Sequence, residues 1–106
     1  MGPVESIVVE KLKKAFSPSH LEVINESDSH NVPAGSESHF KVIIAANNFE
    51  EMSAVKRHQA IYAELSQELK SSIHALSLFV YSYKEWGQAR RVPDSPSCLG
   101  GSKSSQ

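Results

Sequence analysis

A chain of 106 residues can build one domain with a single modest core and short tails. Its 40% apolar and 22% charged residues are ordinary for a soluble globular protein, and 11 Lys and Arg against 12 Asp and Glu leave a net charge of −1. That balance excludes an overall electrostatic pull toward nucleic acid or an anionic membrane, and the lone cysteine, Cys98, excludes both an internal disulfide framework and an all-cysteine metal site within one chain.

No apolar run reaches the roughly 18 residues needed to span a bilayer. The first residues show neither the apolar core of a signal peptide nor the Arg-rich amphipathic helix of a transit peptide. From Val4 to Phe16, the apolar Ile7, Val8, Leu12, Ala15 and Phe16 recur at three- and four-residue spacing among Glu and Lys, which predicts an amphipathic helix. Glu near its start and Lys near its end suit the helix dipole, and Ser17-Pro18 ends it, because a residue before proline avoids helical backbone angles.

His20 to Glu26 alternates as a half-buried strand whose inward side the pattern leaves open. Then comes a polar segment, S-H-N-V-P-A-G-S-E-S, in which Pro33 lacks a backbone donor and Gly35 can take positive φ, so the chain turns out of any sheet there. His39 to Ala46 reads as a second strand with Phe40, Val42, Ile44 and Ala46 on one face. The two strands form a hairpin with a loop of about ten residues, longer than the usual 2–5, and such loops are often functional.

Beyond the Asn47-Asn48 turn, Val55, Ile61, Tyr62, Leu65 and Leu69 recur at helical spacing, with Ser53 as the N-cap and a break near Ser66 that divides the helix in two. Ile73 to Ser82 is a third strand, with Ile73, Ala75 and Ser77 on one face and His74, Leu76, Leu78 and Val80 on the other. Lys84-Glu85-Trp86 begins a short terminal helix or turn, with Tyr83 and Trp86 expected to anchor it in the core. The domain is placed at residues 1–86. Residues 87–106, rich in Ser, Pro and Gly, are expected to be a flexible tail with Cys98 as a free exposed thiol.

The order α-β-β-α-α-β requires a helical crossover before the last strand, which makes that strand parallel to one hairpin strand. The expected fold class is therefore α+β, a three-stranded mixed sheet with helices on one face. His30 in the hairpin loop and His74 at the start of the last strand are candidate ligands. His39, at the foot of the second strand, is a weaker third candidate that reads first as a solvent-exposed strand end, and Lys56, Arg57 and His58 read as a basic cluster at one end of the main helix. No nucleophile-base-orienter arrangement or phosphate-cradling loop is present, so an enzyme is not expected.

The motifs H-N-V-P-A-G-S-E-S-H-F-K-V at 30–42, K-R-H-Q-A-I-Y at 56–62 and I-H-A-L-S-L at 73–78, in this order, resemble the BolA family across about residues 4–86. The tail's S-P-S-C-L-G-G at 95–101 is similar to the family's mitochondrial branch. The resemblance implies a fold similar to the class II KH fold and a non-enzymatic, mitochondrial partner of monothiol, CGFS-type glutaredoxins. The protein would be a monomer alone and a heterodimer with glutaredoxin, sharing one bridging 2Fe-2S cluster for delivery to iron-sulfur client proteins. The glutaredoxin and its glutathione would each give a thiolate.

On that resemblance, His74 matches the family's histidine ligand near the last strand and His30 the ligand in the hairpin loop. The Lys56, Arg57 and His58 region would border the histidine surface and help dock the glutaredoxin. Neutral imidazole is a good iron ligand and raises a cluster's potential relative to thiolate; its protonation at about pH 6.5 would compete with iron. The alternative is a KH-like, nucleic-acid-binding transcriptional regulator. Against it, the chain lacks the G-x-x-G loop with which KH domains clamp a nucleic-acid backbone.

Overall fold

The computed structural model describes residues 2–27 and 36–91. Helix α1 (Pro3–Phe16) starts on a proline, which has no N–H to leave unpaired at that position, and presents Val8, Leu12 and Phe16, four residues apart, as its buried stripe. It stops at Ser17, which adopts a left-handed conformation with φ 43° just ahead of Pro18.

Strands β1 (His20–Asn25) and β2 (His39–Ala45) pair antiparallel, and β2 pairs in parallel with β3 (Ala75–Tyr81), giving the sheet order β1-β2-β3. A 3-10 turn (Asn47–Phe49) and helices α2 (Ala54–Glu64) and α3 (Ser66–Ser71) form the crossover between them. The mixed α+β sheet and its connectivity agree with the sequence expectation. The Ser53 hydroxyl accepts the N–H of Lys56 and caps α2, and α2 gives way to α3 at Leu65.

Register settles which side of β1 faces the core. Val23 lies opposite Val42 and Leu21 opposite Ile44, so both point toward the helices, while Glu22 and Ile24 point away. The core joins Val8 and Leu12 of α1, Phe40 and Val42 of β2, Ile61 of α2 and Leu65 at the α2-α3 junction. Phe16 meets Phe49 with ring centroids 5.0 Å apart, closing one end. Each such side chain taken fully from water contributes about 1.5–3 kcal/mol. Among the described residues, no helix is long and apolar enough to cross a membrane.

Several local expectations need correction. Ile73 is buried rather than sharing the exposed side of Ala75 and Ser77, because the chain bends at His74 and β3 starts only at Ala75. The alternation therefore does not extend back through the bend. Val55 and Tyr62 face solvent, since Ile61 and, four residues on at the end of α2, Leu65 supply the buried stripe.

Helix α4 (Tyr83–Arg91) continues past Trp86 into the stretch assigned to the tail; residues 92–106, with Cys98, lie outside the described residues. Tyr83 is 64% exposed and is not a core anchor. Trp86 packs instead over the other sheet face, stacked on His20 at 4.4 Å and tilted against Tyr81 at 5.4 Å. It covers only that end, and farther along the same face Phe79 remains 43% exposed beneath the Lys41 ammonium, 5.6 Å from its ring centroid.

Candidate metal-ligand site at the head of the sheet

The parallel register of β2 and β3 pairs His39 with Ala75, which brings the residue before Ala75 to the same end of the sheet. There the His74 and His39 rings meet edge to face with centroids 6.3 Å apart. His74 is exposed in the bend, whereas His39 is half-buried, with Nδ1 2.8 Å from the Ser38 hydroxyl. His39 is thus not the solvent-exposed strand end expected from its position. The signal for its placement is the β2-β3 register, which only the crossover fixes.

Backbone bonds hold this end. The Ser38 carbonyl accepts the N–H of His74 at 2.7 Å and that of Ala75 at 3.2 Å, so the bend is tied directly to the strand carrying His39. The N–H groups of Ser38 and His39 in turn donate to the hydroxyl of Ser27, at 2.9 and 3.2 Å. Ser27 is buried and stands on the other side of the hairpin loop. Next to Ser38, the Glu37 carboxylate accepts the N–H groups of Val4 and Glu5 at 3.2 and 3.0 Å, capping α1 from more than thirty residues away. A Cβ at Gly2 would overlap that carboxylate, which is why a residue without a side chain suits the position. Sequence reading missed Ser27 and Glu37, because a polar residue in a polar loop carries no signal of its distant partner.

His30 lies outside the described residues. Among the described residues, no group of three or more His, Cys, Asp or Glu side chains is placed to hold a metal ion. The head of the sheet offers a pair of imidazoles, open on the His74 side.

Lys56, Arg57 and His58 lie elsewhere. Arg57 turns inward, donating through Nε to the Met52 carbonyl at 3.0 Å, through Nη1 to the Val80 carbonyl at 3.3 Å, and through both Nη atoms to Glu85 at 2.6 and 3.2 Å. Val80 is six residues along from His74, so the trio begins at the far end of β3, roughly 20 Å of extended chain away. The expectation that it borders the histidines is not met, because the crossover delivers the start of α2 to the opposite end of the sheet. Lys56 and His58 are exposed.

The hydrogen bonds from Arg57 hold the Glu85 carboxyl below its ordinary value of 4.5, with the N–H of Ser82 adding to the effect and burial opposing it. Since the folded-state pKa is the lower one, the contribution is complete above the ordinary value and is lost as pH falls through the depressed one. Glu85→Gln is therefore expected to flatten the acid side of the stability profile, measured by urea unfolding from about pH 6 down to about pH 3. A variant as acid-sensitive as the parent would contradict this.

A family model described as BolA-like protein matches residues 12–85. The chain belongs to the BolA family. Two BolA relatives show the range of names in the family. The DNA-binding transcriptional regulator BolA of Vibrio cholerae is 46% identical over 103 residues, covering 96% of this chain and 97% of its own. BolA-like protein 1 of Pongo abelii is 44% identical over 103 residues, covering 97% of this chain and 75% of its own. The solution structure of the mouse BolA1 protein superimposes with a TM-score of 0.79 at 43% identity, over 94% of this chain and 81% of that one. The BolA fold therefore extends over α1 to α4.

Proposed function

We propose that this BolA-family chain is a non-enzymatic iron-sulfur cluster assembly or transfer factor that pairs with a monothiol glutaredoxin and shares a bridging 2Fe-2S cluster with it. The observation that carries this reading is the exposed His74 ring set against His39 at a hydrogen-bonded sheet end. His74 is the first ligand in this account. The second is His30, on the match of the hairpin-loop motif alone, since it lies outside the described residues. The imidazoles would supply neutral nitrogen donation to iron, and the glutaredoxin and its glutathione the thiolates. This chain's own work is to hold the rings at an accessible edge and to leave the cluster free to be passed on. A mitochondrial setting is part of the reading and is consistent with mammalian relatives named BolA-like protein 1.

The test is reconstitution of a glutathione-loaded monothiol glutaredoxin with iron and sulfide, titrated with this protein under visible absorption and circular dichroism. A saturable change at one-to-one stoichiometry is expected. An unchanged spectrum with folded protein would overturn the reading.

The names of the bacterial relatives favour a second reading, a DNA-binding regulator. Against it stand the net charge of −1 and the α2-α3 junction, where buried Leu65 precedes Ser66 and no glycine permits close approach of a phosphate backbone. Salt-dependent binding to a defined duplex, weakened by reversing the charge of exposed Lys56, would favour it.

A further inference from the structure

We propose that the Ser27 hydroxyl is the positioning residue of the histidine pair, a role that rests on the cluster-binding reading. Its oxygen receives the N–H groups of both Ser38 and His39 and so pins the two ends of the hairpin loop to each other. Ser38, once pinned, passes that placement on through its carbonyl to the N–H of His74, and its hydroxyl meets His39 Nδ1. Beside the Glu26 N–H bond to the His39 carbonyl, one buried oxygen therefore ties together Ser38, His39 and, through the Ser38 carbonyl, the His74 bend. Such a group needs no contact with the cluster to matter, because ligand donors must be held in place by the groups behind them.

The fold does not otherwise demand a serine here. Backbone bonding of β1 to β2 ends one residue before Ser27, with the Glu26 N–H donating to the His39 carbonyl at 2.7 Å, the Asn25 amide donates to the Ser36 carbonyl at 2.9 Å, and the hydrophobic core contains no part of the knot at Ser27. The polar groups gathered at Ser27 hold the sheet's head, and the core holds the rest. Ser82 provides a matched control. It too is buried and its hydroxyl accepts a backbone N–H, that of Glu85, but it lies at the opposite end of β3.

The experiment compares Ser27→Ala, Ser27→Thr and Ser82→Ala by residue-resolved amide hydrogen exchange on the protein alone, with global stability measured in parallel. In Ser27→Ala, exchange at Ser38, His39 and His74 is expected to rise at least tenfold beyond any rise at the paired residues Ile24 and Lys41. Ser27→Thr, which keeps the hydroxyl, restores protection, and Ser82→Ala leaves these three amides in step with the core. A uniform rise across the chain in Ser27→Ala, or an equal local rise in Ser82→Ala, overturns the proposal. The same variants are then titrated into the cluster-loaded glutaredoxin, where Ser27→Ala is expected to need at least threefold more protein for half-saturation. If the parent loads a cluster and Ser27→Ala matches it, the positioning role fails. If the parent loads none, the cluster reading fails, and the exchange data still decide whether Ser27 holds the histidines.

Discussion

His74→Ala is expected to remove the spectral signature of the shared cluster, weakening half-saturation at least tenfold, while leaving unfolding free energy within about 0.5 kcal/mol of the parent. The two halves of that expectation have separate causes. The ring is exposed and contributes nothing to the core, and the bond that ties the bend to Ser38 uses the backbone N–H, which alanine retains. What alanine removes is the nitrogen donor and its edge contact with His39. Cluster spectra that survive the substitution would contradict the proposed ligation. Loss of both fold and spectrum would show that the bend is more dependent on the ring than its exposure indicates.

Arg57→Ala should do the reverse, lowering stability by about 2 kcal/mol with little direct effect on the histidine pair. The Arg57 side chain is only 11% exposed and its guanidinium satisfies two backbone carbonyls as well as a carboxylate, so its removal leaves the Met52 and Val80 carbonyls without these donors. Glu85 is 46% exposed, which lets water take up part of the lost pairing and keeps the figure below that of a fully buried pair. Urea unfolding measures the loss. A variant of unchanged stability that binds glutaredoxin poorly would restore Arg57 to the docking surface.

Much of the fold is legible because its elements bury one stripe each. Val8, Leu12 and Phe16 are spaced for a helix, and Phe40, Val42 and Ile44 for a strand, so period alone places them. The crossover and its parallel strand follow from connectivity. Residues whose partners are distant in sequence are not legible in this way. Ile73 breaks the β3 alternation because the bend at His74 is held by Ser38, 36 positions earlier, and no local pattern reports that bond. Helix α4 did carry a local signal: Ser82-Tyr83-Lys84-Glu85 is a capping box, with Glu85 accepting the Ser82 N–H at 2.9 Å and Ser82 accepting the Glu85 N–H at 3.1 Å. A reading dominated by the downstream Ser, Pro and Gly residues stops that helix too early.

The candidate site divides along the same line. His74 is marked by its position at the head of an apolar strand, but the placement of His39 beside it comes only from the β2-β3 register, and Ser27 is found only through a bond across the hairpin loop. Arg57 looks like part of an exposed basic run because sequence cannot show Glu85 beneath it. Charge runs of this kind separate into docking and structural members only once the fold is known.

The most direct test of histidine ligation is pulsed electron paramagnetic resonance on the reduced cluster shared with glutaredoxin, using this protein with isotope-labelled histidine nitrogen. The account predicts a hyperfine coupling from the labelled nitrogen that is lost in His74→Ala. A cluster that forms in the complex and shows no coupling to this chain's histidines would contradict it.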